Sequence, residues 1–240
     1  MPDASPAVAS IAMPRVEPFP RRLPLSHRRA FVQRHTRLRD VDGVPGIRLH
    51  LADAVDPLWH ATEEALAVDG APIPFWAFAW AGGLALSRWL IEHPDEVAGR
   101  SVLDFATGSG LVGIVAARLG ATVSAVDIDP FAEAAVDLNT RANRVRVTYS
   151  TRDLLDDPPP AVDLLLAADT WYESPLADRV LPWLKEASAA GIRVLIGDPG
   201  RKYLPSPVES GFVELARYAV RTTTTLEDRD VVDGRVFEVP

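Results

Sequence analysis

The chain has 240 residues, 48% of them apolar, and a net charge of −8 with a pI near 5.1. That length and apolar content fit one α/β domain with a sizeable core, and the acidity argues against bulk nucleic-acid binding. There is no cysteine, so disulfides and thiolate metal sites are excluded; the five histidines lack ligand spacing, so no metal is expected.

Residues 1–25 are rich in Pro, Ala and Ser and read as a disordered tail. Residues 21–39 hold seven arginines and no acid. They read as a solvated helix face, an arm for an acidic partner, or a targeting segment. Ser26 is expected to cap a helix running to Leu38. Turns at Asp42-Gly43 and Pro45-Gly46 precede an alternating strand, Ile47 to Leu51. Asp56-Pro57 opens a helix through Val68. Pro72 to Trp80 is extended and aromatic, and Ala81 to His93 is helical. Trp76 and Phe78 read as core, and Trp80 as core or pocket wall. The longest apolar run, Pro72 to Leu86, is broken by Pro and Gly and is too short to span a bilayer. No secretory signal is visible at the N-terminus, and no membrane partner is expected.

Ser101 to Pro130 organises the rest. Val102 to Phe105 is a strand, Gly108, Gly110 and Gly113 form a turn, and Leu111 to Leu119 is a helix. Thr122 to Val126 is a second strand, closed by Asp127. This is a βαβ unit with a nucleotide-type turn. The glycines spell G-x-G-x-x-G, which also fits a dinucleotide. Asp104, however, ends the first strand where its carboxylate would repel a pyrophosphate. A ligand with an ammonium and a sulfonium suits that acid better, which favours S-adenosylmethionine over NAD. The plainer alternative for Asp104 is a buried acid capping the turn.

Further strands are expected at 145–149, 162–168 and 192–197, with helices at 130–142 and 175–189 and closing strands at 212–220 and 235–239. This alternation implies a parallel sheet with right-handed crossovers. Asp104, Asp127, Asp153, Asp169 and Asp198 all fall at carboxyl ends of strands, where such sheets bind ligands.

VLDFATGSG, VDIDP and DTWY resemble the seven-strand S-adenosylmethionine-dependent methyltransferases. More narrowly, PFWAFAWAGGLALSRWL, DTWYE and LIGDPGR look like the lysine methyltransferases of the electron-transfer flavoprotein β subunit, over about Pro74 to Arg201. The resemblance implies an α/β, Rossmann-like sheet, mostly parallel with an antiparallel closing strand and helices on both faces. It implies a tail (1–25), an N-terminal cap (26–93) and a methyltransferase domain (94–240). Carried over by residue, it implies donor binding by Trp80, Asp104, Ala106, Gly108, Ser109, Gly110, Asp127, Ile128, Asp153 and Ala168. Ala106 stands where the family pattern has its first glycine. Asp169 and Tyr172 match the D-x-x-Y signature and are the expected catalytic pair, with Trp171, Glu173 and Asp198 on the substrate side. The cofactor so implied is S-adenosyl-L-methionine, and the partner is the electron-transfer flavoprotein β subunit.

The loop Asp-Thr-Trp-Tyr lacks the prolines of amide and base methylases, and a carboxylate among aromatic rings suits a cationic amine. As a plain helix cap, Asp169 lies too far upstream of the next helix, where Ser174 fits better. Alternatives are another protein substrate such as a ribosomal protein, a small amine, or a silent cofactor-binding scaffold. A monomer is expected, in the cytoplasm of a bacterium or the mitochondrial matrix of a eukaryote.

Overall fold

A computed structural model describes residues 23–66, 73–222 and 229–240. Most of the expected tail, with Arg21 and Arg22, lies outside the described residues, as do Pro72 and the end of the helix expected to reach Val68.

The core begins with β3 (Ser101–Phe105), whose run of buried residues marks a strand covered on both faces. It pairs in parallel with β4 (Thr122–Val126) on one side and β6 (Leu164–Ala168) on the other. Outside these lie β5 (Val147–Ser150) and β7 (Arg193–Asp198), also parallel. β9 (Val231–Val239) joins β7 antiparallel, and β8 (Val213–Arg221) closes the edge beside it. The order β5-β4-β3-β6-β7-β9-β8 is the seven-strand sheet expected, with an antiparallel closing pair.

Helices α3 (Ala81–Glu92) and α4 (Leu111–Arg118) pack one face of the sheet through Leu84, Leu86, Leu90, Ile114 and Val115. α6 (Ser174–Ala189) covers the other face with Val180, Trp183 and Leu184. α3 was grouped by the sequence with the cap of residues 26–93, yet it shares a core with β7 and β9. A third cluster joins Val32, Trp76, Phe78 and Phe131.

The N-terminal region departs from expectation. α1 (Leu25–His35) starts after Pro24 with no side-chain cap, so Ser26 is inside the helix and not its cap. It stops at His35, and Arg37–Asp40 forms β1, antiparallel to β2 (Arg48–Leu51). Thr36 takes extended backbone there and donates its hydroxyl to the Val32 carbonyl, 2.6 Å. The arginines are not simply solvated. Arg28 pairs with Glu133 and Arg29 with Asp137, each at 2.7 Å, on α5 (Pro130–Asn143), and Arg39 pairs with Asp53. The Phe31 ring packs against Phe131, tilted at 52° with centroids 4.9 Å apart. α1 is therefore docked on the helix that follows Asp127. α2 (Val55–Leu66) follows β2. No helix among the described residues is long and apolar enough to cross a membrane.

Candidate active site

The glycine turn follows β3. Ala106 has φ +52°, Gly108 +52° and Gly110 +82°, all left-handed. A glycine takes this conformation without cost, so Ala106 holds it under strain. Asp104 Oδ2 accepts the Thr107 hydroxyl and the Gly113 N–H (2.9 Å), which fixes the turn to the start of α4. Its side chain is buried, and burial pushes its pKa up to about 6. The turn-capping alternative for Asp104 is thus realised in these contacts. Gly113 must be glycine, since a Cβ there would lie 2.7 Å from Asp104 Oδ2.

Asp127, at the end of β4, accepts Gly108 N–H on Oδ2 (2.8 Å) and Asp129 N–H on Oδ1 (3.0 Å). Burial raises its pKa. Ile128 beside it is 66% exposed, an apolar side chain left open at the strand end. Ser109 is buried, and its carbonyl accepts from Asn139 Nδ2 (2.8 Å). Asn139 in turn accepts His50 N–H (2.7 Å), which links the turn to β2. Asp153 follows β5 but turns outward: it accepts Leu155 N–H (3.0 Å) and pairs with Arg179 (2.9 Å).

An aromatic strap crosses the turn. Phe75–Ala77 is a 3-10 turn, and Trp80 sits at the N-cap position of α3. Trp80 Nε1 donates to the Phe75 carbonyl (2.9 Å). A Cβ on Gly108 would lie 3.8 Å from that same oxygen, so the strap passes directly over the glycines. The Phe75 ring is 5.6 Å from Trp80 and 4.8 Å from Tyr172. Trp76 and Phe78 are core, as expected. Phe75 was missed: within the aromatic stretch Pro72 to Trp80 nothing distinguishes it from its buried neighbours.

Asp169 follows β6 and has φ +56°, an uncommon left-handed conformation for a residue with a side chain. Its Oδ1 accepts Gly82 N–H (3.1 Å) and its Oδ2 accepts Gly83 N–H (2.8 Å), the free donors at the start of α3. Arg201 donates to Oδ1 from Nε (3.2 Å) and Nη2 (2.7 Å). Ala168, just before, is half-buried and pairs with Gly197. Tyr172 is 40% exposed and Glu173 is exposed at the N-cap position of α6, without a side-chain bond. Ser174 is the first residue of α6 and donates its hydroxyl to Asp178, so it is not the cap expected.

Two substrate-side expectations need correction. Trp171 is 1% exposed and packs against Phe212 in the core beneath α6. Tyr172 beside it faces outward while Trp171 is turned inward. Asp198 is fully buried, its Oδ1 bound to Gly200 and Arg201 N–H groups at 2.6 and 2.7 Å. Burial first, then the neighbouring Asp169, raises its pKa to about 7. Neither side chain is placed to touch a substrate.

A family model for ribosomal protein L11 methyltransferase (PrmA) matches residues 87–168. The electron transfer flavoprotein beta subunit lysine methyltransferase of Rattus norvegicus is 36% identical over 169 residues, covering 69% of this chain and 66% of its own length. Its counterpart in Xenopus laevis is 32% identical over 235 residues, covering 96% of this chain and 94% of its own. The chain belongs to the electron transfer flavoprotein beta subunit lysine methyltransferase family. It is therefore an enzyme that transfers methyl groups from S-adenosylmethionine to protein lysine. Among solved structures, the 16S rRNA N2 G1207 methyltransferase of Thermus thermophilus superposes with a TM-score of 0.53 at 16% identity. It covers 86% of this chain and 50% of that one, a likeness of fold alone.

The residues present fit the family's cofactor. Gly108 lies beneath the strap with no side chain of its own to obstruct a ligand, while Gly110 lets the turn pack closely against Val136 and Ile114. Asp127 offers carboxylate oxygens at the strand end, and Ile128 offers an uncovered apolar face. Bound S-adenosylmethionine would supply an electrophilic methyl group on a sulfonium. The structure thus brings together Trp80, Gly108, Asp127, Asp169 and Tyr172 through the strap and the strand ends. It adds Phe75 and Arg201, and it leaves Trp171 and Asp198 behind the site. The signal for Arg201 was its place just after the fifth parallel strand, in GDPGR.

Proposed function

We propose that this enzyme methylates lysine on the electron transfer flavoprotein β subunit. The observation that carries the reading is the match to the frog relative named for that activity, which spans 94% of its length. The match to the L11 methyltransferase family covers 87–168, the stretch with the glycine turn and β3 to β6, which fits a shared donor better than a shared substrate.

The chemistry of the strand ends supports an amine acceptor. Free lysine is protonated at neutral pH, with a pKa of about 10.4, and only the neutral amine can attack a methyl group. A sulfonium nearby repels the ammonium and favours proton loss. Asp169 serves as the carboxylate that aims the amine, and Tyr172, with Phe75 and Trp80, walls the lysine stem. Asp127 holds the donor ribose and Ile128 lies against the adenine. Glu173, exposed at the rim, meets the protein substrate. The enzyme acts as a monomer in the cytoplasm or mitochondrial matrix, and its net charge of −8 fits a protein partner over nucleic acid or an anionic membrane.

Incubating the purified chain with labelled S-adenosylmethionine and purified electron transfer flavoprotein tests the reading. Label on a β-subunit lysine is expected. Label on a different protein in a cell extract, with the flavoprotein unlabelled, would overturn the substrate assignment; no transfer to any protein would favour a small amine or a silent scaffold.

A further inference from the structure

We propose that Arg201 is a positioning residue for methyl transfer, holding the Asp169 carboxylate and the Trp80 ring in one geometry before the lysine arrives. Its guanidinium carbon lies 5.4 Å from the centre of the Trp80 ring while Nε and Nη2 bond Asp169 Oδ1. One cation thus bridges the Trp80 ring and the Asp169 carboxylate.

Arg201 is itself built in. The turn after β7 is folded around buried Asp198, whose Oδ1 accepts the Gly200 and Arg201 N–H groups. Gly200 has φ +93°, a left-handed conformation that glycine takes without the strain a side chain would bring. The backbone therefore fixes the direction in which Arg201 leaves the turn. Its side chain is 16% exposed and that of Asp169 10%. A residue held this way is not a loose cation waiting to be displaced.

Asp169 requires such a partner. Its left-handed backbone is unfavourable for a residue with a Cβ, and such conformations persist only where surrounding contacts over-determine them. Gly82 and Gly83 supply two of those contacts from α3. Arg201 supplies the only charged ones that the described hydrogen bonds show. It also stands between two carboxyl groups, Asp169 and Asp198, on neighbouring strand ends. Without it Asp169 loses its charged partner and is held by the Gly82 and Gly83 N–H groups beside the Asp198 carboxyl.

The inference deepens the lysine-methylation reading and rests on it for its kinetic arm. The test uses the full chain with Arg201→Ala and Arg201→Lys. Three quantities are measured: single-turnover methylation of the flavoprotein, donor affinity by calorimetry, and amide hydrogen exchange at Gly82 and Gly83. In Arg201→Ala the turnover step falls by about 10–100-fold, because small misplacement of aligned groups is costly. Donor affinity stays within about threefold, since Trp80 keeps its bond to Phe75. The Gly82 and Gly83 amides exchange faster. Added guanidinium restores part of the turnover in Arg201→Ala, and Arg201→Lys lies between.

Near-normal turnover in Arg201→Ala would overturn the proposal. So would a lost donor affinity with no guanidinium rescue, which makes Arg201 merely structural. A lower KM for the flavoprotein at unchanged turnover would make Arg201 an occupant that lysine displaces. Should the wild type leave the flavoprotein unmodified, the substrate assignment fails, but the exchange arm still decides whether Arg201 holds Asp169 on α3: unchanged Gly82 and Gly83 exchange rejects that hold and the positioning role with it, and faster exchange upholds the hold.

Discussion

Gly82 and Gly197 meet so closely that a Cβ on Gly82 would lie 2.3 Å from the Gly197 carbonyl oxygen, and one on Gly197 would lie 2.2 Å from that of Gly82. This close approach lets the first turn of α3 present its N–H groups to Asp169. Gly82→Ala should therefore destabilise the fold by about 1–3 kcal/mol, the usual range for forcing a methyl into a packed interface. Gly83→Ala is the control, because its Cβ would meet Leu111 and Val112 at an ordinary 3.7 Å. Urea unfolding of both variants checks this; equal stabilities would mean that the α3–β7 contact yields easily.

Asp127→Ala should weaken S-adenosylmethionine binding and leave the enzyme folded. One charge-assisted hydrogen bond to a ribose is worth roughly 1.5–3 kcal/mol, about 10- to 100-fold in Kd. Part of the loss comes from the glycine turn, because Asp127 also holds Gly108 N–H. Calorimetric titration measures it, and unchanged affinity in a folded variant would confine Asp127 to the turn.

Trp171 and Tyr172 are neighbours with opposite fates. Trp171→Ala should cost about 3–5 kcal/mol of stability, as for a large aromatic removed from a core. Tyr172→Phe keeps the ring against Phe75 and should leave stability within about 0.5 kcal/mol while lowering methylation modestly. Thermal unfolding beside turnover separates the two. A stable, inactive Trp171→Ala would restore Trp171 to the substrate path.

Much of this was legible in the sequence. The βαβ unit, the mostly parallel sheet and the convergence of acids at strand ends follow from period, glycine placement and short connections, which are local signals. Asp127 and Asp169 came from their places after strands, and Tyr172 from the D-x-x-Y resemblance. What escaped depended on backbone direction and long-range contact. Nothing in DTWY says that Asp169 takes φ +56° or that Trp171 points inward. The docking of Arg28 and Arg29 on Glu133 and Asp137 spans more than a hundred residues of chain, so the arginine segment read as solvent-facing. Asp198 shares its strand-end position with the other acids, and only the packing of β9 beside it shows that it is buried.

Stability should depend on pH through three buried acids. Burial raises Asp104 to about 6, and Asp129 and Asp198 to about 7. In the unfolded chain each loses its proton near pH 3.8. Between about pH 4 and 7 the folded state therefore holds more protons than the unfolded state, and stability falls as pH rises through this window. Urea midpoints should drop from pH 5.5 to 8 in the donor-free enzyme. The drop should be smaller in Asp198→Asn, which cannot ionise there and still offers Gly200 and Arg201 a carbonyl oxygen. A midpoint that climbs over this range would contradict these shifts.

The most direct test of the whole account is site-resolved mass spectrometry of the electron transfer flavoprotein β subunit after a single turnover with wild type and Asp169→Asn. Asparagine keeps the size of the side chain and an acceptor for the α3 donors but removes the charge. Both enzymes are loaded to equal donor occupancy. Methyl groups on β-subunit lysine are expected with the wild type, and at least about 100-fold slower transfer with Asp169→Asn. Wild-type enzyme that leaves every β-subunit lysine unmodified, or Asp169→Asn that methylates at the wild-type rate, would contradict it.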